Sequence, residues 1–150
     1  MPDRMLGSLE SYLAGRWRVV RIGRDRARGT RHILTGTARF APAAGGGLTL
    51  DEAVTWTVGG QRLEGERRYR FTFSAPWRAA VWFADGRPFH DLDLTAGAAD
   101  VAHDCPPDSY KGRYRLTGLD SFRVIWRVRG PHKDLVLTTR LTRIAGGESV

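Results

Sequence analysis

Apolar and polar residues alternate with a period of two along nearly the whole chain from Arg16 to Arg143. Successive side chains of an extended strand point to opposite faces, so this pattern predicts half-buried β-strands. The runs cover 16–22, 31–40, 47–58, 61–73, 77–84, 88–94, 99–104, 110–117, 122–129 and 134–143. Residues that favour turns separate them: Asp25 to Gly29, Pro42 to Gly47, Gly59-Gly60, Ala75-Pro76, Asp85-Gly86, Thr95 to Gly97, Cys105 to Ser109, Gly118 to Ser121 and Gly130-Pro131. A different spacing occurs in residues 4–14, where Met5, Leu6, Leu9, Tyr12 and Leu13 recur every three or four positions before Gly15. That segment predicts a short amphipathic helix covering one end of the sheet.

Short strands joined by short turns form a meander, and a meander exposes two unpaired edges unless it closes. The expected fold is all-β, an antiparallel up-and-down β-barrel of about eight to ten strands with a short N-terminal helix. One domain accounts for residues 1–150, with the helix at about 4–14 and the barrel at about 15–144. A barrel of this size can be filled by side chains or hold one small ligand. Trp17, Trp56, Trp77, Trp82 and Trp126 all fall on or beside strands, where they either fill the interior or line a cavity.

Two strands show their faces plainly. In 122–129, Phe122, Val124, Trp126 and Val128 share one side, and Arg123, Ile125, Arg127 and Arg129 the other. In 48–58, the set Leu48, Leu50, Val54, Trp56 and Val58 contains Glu52 among its members. A carboxylate on an apolar face is costly unless paired. Either a β-bulge near Asp51-Glu52 turns it outward, or it faces the lumen and meets an arginine or a ligand.

The formal net charge is +8, and all but Lys111 and Lys133 of the 24 basic residues are arginine. Many arginines alternate with apolar residues, as in Arg67-Arg68-Tyr69-Arg70-Phe71, which reads as the solvated face of a sheet and argues against nucleic acid. The single cysteine, Cys105, excludes an intrachain disulfide. Met1 to Gly15 lacks the apolar core of a signal peptide, and no run is long enough to span a bilayer as a helix. These features predict a cytoplasmic protein without a membrane partner, a monomer or homodimer.

Gly15-Arg16-Trp17 resembles the opening of the lipocalin and fatty-acid-binding calycin barrels. That resemblance implies that Trp17 closes the barrel bottom beneath an arginine of the last strand, Arg140 or Arg143. Three further stretches, Asp85-Gly86-Arg87-Pro88-Phe89-His90, His103 to Gly112, and Trp126 to Asp134, together resemble a bacterial family catalogued as domain of unknown function 6314, over about Leu13 to Arg143. The resemblance implies a β-barrel with no established activity and transfers no catalytic assignment.

Those motifs gather polar groups at turns. Arg87, His90 and Asp91 follow the Asp85-Gly86 corner, His103 and Cys105 share a strand face, and Asp108 and Tyr110 lie across the next turn. If 88–94 pairs with 99–104, His90, His103 and Cys105 come together. Such a trio can pack, bind zinc or a similar metal, hold a haem, or serve as an acid, base or nucleophile. No second cysteine or His-x-x-x-His supports a metal, so none is assigned and the cofactor stays open. Carboxylates of Asp104 and Asp108 beside Cys105 count against a reactive thiolate. Gly130 to Asp134 is either a plain hairpin turn or a mouth loop presenting His132 and Lys133 to an anion. The candidate ligand-binding set is His90, His103, Cys105, Tyr110, Tyr114, Arg87, Arg127, Trp126 and Glu52, with Arg113 and Arg115 as further late-strand candidates.

Three classes of function remain. The first, and preferred, is a barrel holding a hydrophobic or anionic amphipathic small molecule. Second is an enzyme using His90 or His103 as base, oriented by Glu52 or Asp91. The third is a packed barrel whose basic outer face meets an acidic protein or RNA.

Overall fold

A computed structural model describes residues 7–145. It contains one ten-stranded antiparallel sheet, ordered β6-β5-β4-β3-β2-β1-β10-β9-β8-β7. The strands are β1 (Gly15–Asp25), β2 (Thr30–Pro42), β3 (Leu48–Val58), β4 (Gln61–Ala75) and β5 (Arg78–Phe83). They continue with β6 (Pro88–Asp93), β7 (Ala98–Cys105), β8 (Asp108–Gly118), β9 (Ser121–Gly130) and β10 (Lys133–Arg143). Every expected run is a strand; most ladders extend into the flanking turns, β1 furthest, to Asp25, whereas β3, β5 and β6 fall a residue short at one or both ends. The expected helix at 4–14 is shorter: α1 spans Leu9–Leu13, capped by the Ser8 hydroxyl, which accepts from Ser11 N–H. Its expected start lies outside the described residues.

Ring closure comes from β1, which pairs with β2 along one edge and with β10 along the other. Trp17, Val19 and Arg21 of β1 therefore point inward, and Arg16, Arg18 and Val20 outward. The seam falls elsewhere, between β6 and β7. These were expected to pair as sequence neighbours, but they stand at the two ends of the strand order. Their connecting turn is claimed by other strands: Leu94 N–H donates to Trp77 O at 2.8 Å and Leu116 N–H to Gly97 O at 2.8 Å. β6 thus stays with β5, and β7 with β8.

Two glycines permit close packing that a side chain would block. A Cβ on Gly36 would run into the Ala53 carbonyl on β3, and one on Gly112 would sit 2.9 Å from the Trp126 ring on the adjacent strand. Trp126 lies over that bare backbone and completes the barrel wall from inside.

One end is sealed. α1 buries Leu9, Tyr12 and Leu13, and its tyrosine packs against Trp17, Trp77 and Phe122 at 5.7–6.2 Å between ring centroids. Trp17 is fully buried and donates its indole N–H to Leu13 O at 2.8 Å. The Arg143 guanidinium lies 4.3 Å from the Trp17 ring centroid and donates to Tyr12 O and Leu119 O at 2.8 and 3.0 Å. Arg143, not Arg140, is therefore the arginine at the barrel bottom; Arg140 projects from the outer face. Burial pushes the Tyr12 hydroxyl up to about 12, partly opposed by the Arg143 charge, and its oxygen lies 2.7 Å from Gly118 O. Trp17→Ala is expected to cost ~3–5 kcal/mol, the range for removing a buried aromatic side chain. Urea unfolding checks this, and an unchanged midpoint would remove Trp17 from the closure.

Candidate functional site

Above the sealed floor the barrel encloses a cavity of about 400 Å³. Its lower part is apolar, with Phe40, Phe71, Leu92, Leu94, Leu116 and Leu141 among the lining. Around its upper part stand Tyr69, Phe83, Phe89, His103, Tyr110 and Trp126. Four of these rings stack face to face, with Phe83 on Phe89 at 4.5 Å, Phe89 on Trp126 at 5.2 Å and Tyr69 on Phe89 at 5.7 Å, and His103 and Tyr110 meet them edge-on. The exposed lining residues Arg87 and Cys105 mark where the lumen meets solvent.

A charged group is set into this apolar lining. Arg21 on β1 donates both terminal nitrogens to Glu52 on β3, at 2.8 and 2.6 Å, and its Nε to the Thr139 hydroxyl on β10 at 2.7 Å. Arg67 on β4 adds an Nε contact to Glu52 at 3.1 Å. No bulge interrupts β3 at Glu52, so the alternation carries that carboxylate inward and its requirement for a partner is met twice. Burial alone would push Glu52 up, but the hydrogen bonds from Arg21 and the charges of Arg67 and Arg21 outweigh it and hold the carboxyl below its ordinary range. The two Nη groups of Arg67 make no hydrogen bond among the described residues, and the side chain is 43% exposed while lining the cavity.

The two histidines bridge the seam. His103 on β7 donates Nδ1–H to the Phe89 carbonyl of β6 at 3.0 Å. His90 on β6 lies with Nδ1 2.9 Å from Asp91 O, which leaves Nε2 to accept from the Tyr114 hydroxyl of β8 at 3.3 Å. Side-chain contacts therefore take the place of a main-chain ladder between β6 and β7. Burial holds His90 below the usual histidine range, against a smaller opposing pull from Asp91. Burial also raises the Tyr114 hydroxyl well above its ordinary value, so it stays protonated and able to donate.

Of the residues singled out in the sequence, Glu52, Arg87, His103, Cys105, Tyr110, Tyr114 and Trp126 line the cavity. His90 lies behind the lining, its ring 5.5 Å from those of Tyr114 and Trp126. Arg127 falls outside: odd positions of β9 face solvent, and it pairs with Asp134 at 3.2 Å. Arg113 and Arg115 are exposed on the outer face of β8. His132 is exposed, and Lys133 pairs with Asp108 at 3.1 Å. No group of three or more His, Cys, Asp or Glu side chains suited to a metal occurs among the described residues, so His90, His103 and Cys105 do not form the contemplated trio. Among the described residues neither His90 nor His103 is hydrogen-bonded to a carboxylate: both ring Nδ1 atoms contact main-chain oxygens, and Glu52 is held by arginines.

The sequence reading missed Arg21, Arg67 and Thr139. Its own rule could have found the arginines, because Arg21 shares a face with Trp17 and Val19, and Arg67 with Tyr69 and Phe71. A buried acid on one strand requires such a base on another.

The fold and its lumen define an up-and-down antiparallel β-barrel with a cavity of small-molecule size. Within that class the chain belongs to a family of unknown function, DUF6314, whose model matches residues 13–143. Its fold is similar to that of the S-type phycobiliprotein lyase CPES from Guillardia theta, at a TM-score of 0.66 and 8% identity over 97% of this chain and 99% of that one. It is also similar to a protein of unknown function of the DUF3598 family from Nostoc punctiforme, at a TM-score of 0.60 and 15% identity over 89% of this chain. That match covers 48% of the Nostoc chain, so this chain spans about half its length. No functionally curated protein matches the sequence. No helix among the described residues is long and apolar enough to cross a membrane.

Two outcomes follow from the buried charges. Glu52→Leu, which strands the buried Arg21, is expected to destabilise by ~3–5 kcal/mol, and Arg21→Met by less because Arg67 still holds Glu52; the double variant is expected to cost less than Glu52→Leu alone, and denaturant titrations of the three proteins check the non-additivity. For His90 the folded value lies below the ordinary 6.5. The unfolded chain therefore takes up this proton first, and the associated stability, complete above 6.5, is lost as pH falls toward the folded value. Melting curves between pH 7 and 5 are expected to show a steeper decline for the natural protein than for His90→Gln.

Proposed function

We propose that this protein binds a small amphipathic molecule inside the barrel, with an apolar or aromatic body against the ring-lined wall and an anionic head at Arg67. The observation that carries this reading is the charge arrangement around Glu52: two arginines against one carboxylate leave one net positive charge there, set into a cavity otherwise lined mainly by apolar groups. Arg21 is committed to Glu52 and Thr139. Arg67 spends only Nε on Glu52 and retains its paired Nη donors, the fork that recognises a carboxylate, sulfonate or phosphate. A packed interaction barrel would fill this volume with side chains. The fold shared with a phycobiliprotein lyase is consistent with small-molecule chemistry on this scaffold and supplies no ligand identity.

A matched pair of fluorescent probes tests the reading: 1-anilinonaphthalene-8-sulfonate and N-phenyl-1-naphthylamine, which share a ring skeleton and differ in the anion. Both are expected to bind, the sulfonate about tenfold more tightly, a difference of ~1.4 kcal/mol. Arg67→Met should abolish that preference and leave the neutral probe unaffected, and Leu50→Trp, which fills the lumen, should abolish both signals. Failure of either probe to bind, or binding that survives Leu50→Trp, would overturn the proposal.

A further inference from the structure

At three places in the sheet, exposed arginines face acids directly across the ladder. Arg68 stands opposite Asp51 and pairs at 2.6 Å, Arg78 opposite Asp93 at 3.2 Å, and Arg113 opposite Asp100 at 2.8 Å. On the outer face of β2, β1, β10, β9 and β8 the register does the reverse. Arg39 stands opposite Arg16 on one side and, on the other, opposite Asp51, whose carboxylate is paired with Arg68; Arg140 stands opposite Arg123, which in turn stands opposite Arg115. Arg18 joins the two sets: it follows Arg16 on the same strand face and lies diagonal to Arg140, whose direct partner is Val20. The six form one continuous track across five strands. None makes an ion pair among the described residues, and all are exposed except the half-buried Arg123.

Like charges directly opposite each other destabilise a sheet. The same sheet shows the alternative in its Arg–Asp registers; Arg24 opposite Arg31 and Arg127 opposite Lys111 are further like-charge pairs, and the six-arginine track is set apart by running continuously across five strands. We infer that this track is a docking site for a flexible acidic segment of a partner protein.

The shape of the wall selects the occupant. Five of the ten strands in the ring carry the track, so it winds around a large part of a convex surface. A flat bilayer would touch such a wall along a narrow strip, and duplex DNA is too stiff to follow it. A flexible chain can follow it. Outer-face neighbours in the track are Val20, Thr37, Ile125 and Thr142, with no aromatic ring among them, so the base-stacking platform on which single-stranded nucleic acid relies is missing. Carboxylates, by contrast, suit the guanidinium fork, and Val20, 38% exposed, offers an apolar contact between the charges. Four interstrand spacings make the track roughly 19 Å wide, which an extended peptide of about six residues spans. This inference is independent of what the lumen binds.

Fluorescence anisotropy with a labelled poly-glutamate peptide of about twelve residues tests it, using the full chain and two charge reversals. Arg123→Glu interrupts the track. Arg62→Glu makes the same change of net charge on the outer face of β4, where Thr57 is its partner. The peptide is expected to bind in a salt-dependent manner, with Arg123→Glu weakening it at least about fivefold and Arg62→Glu leaving it within about twofold. Arg123→Glu should also raise the melting temperature, because it replaces repulsion with attraction on both sides. Equal losses in the two variants would reduce the effect to bulk charge and overturn the inference. So would tighter binding, at the same ionic strength, of a labelled oligo(dT) of equal charge or of phosphatidylglycerol vesicles.

Discussion

The structure turns on a bidentate ion pair placed inside a barrel. Taking Arg21 and Glu52 out of water costs several kcal/mol per ion, recovered only where geometry is good and the remaining polar atoms are satisfied. The fold provides that through strand placement. β1 brings Arg21 next to β10, where Thr139 takes its Nε, while β3 carries Glu52 between β2 and β4, where Arg67 takes the outer side of the carboxylate. A slip of one residue in any of these ladders would turn a charge to the wrong face. The pair therefore works with the ring closure to define the register of the barrel. It also keeps the lumen from being uniformly apolar.

The two ends of the barrel divide stability from access. At the floor, α1, Trp17 and Arg143 bring the N-terminal segment, the last strand and the β8–β9 turn together, and main-chain oxygens there accept from side chains. Toward the other end, the ladder between β6 and β7 is replaced by His103 on the Phe89 carbonyl and by Tyr114 on His90. Side-chain bonds of this kind can be broken one at a time, whereas the long β1–β10 ladder cannot. The proposed ligand would therefore enter at the seam and mouth, away from the strands that hold the charged pair.

Strand positions and the closing role of Trp17 were legible because period-two alternation and turn residues are local signals. The identity of the bottom arginine was not. Arg140 and Arg143 differ by three positions and so lie on opposite strand faces, and only the pairing of Trp17 with Arg143 decides between them. Glu52 was visible as an anomaly on an apolar face, but its partners lie 31 and 15 residues away and required the cross-strand register. Arg127 was misplaced because its proximity to the polar motifs outweighed the alternation that already put it opposite Trp126. The β6–β7 seam could not be read at all, since a short turn ordinarily joins paired strands and here tertiary partners claim both of its flanks. Arginine alternation reads as a solvated face from one strand; the track emerges only when five strands are aligned.

The central claim is that the lumen is a binding site whose polarity comes from Arg67 and the Arg21–Glu52 pair. A crystal structure of the protein grown with 1-anilinonaphthalene-8-sulfonate tests this most directly. The account predicts the probe inside the barrel, its rings against Phe89 and Trp126 and its sulfonate within hydrogen-bonding distance of Arg67. A probe found only on the outer arginine wall, or a lumen closed by its own side chains, would contradict it.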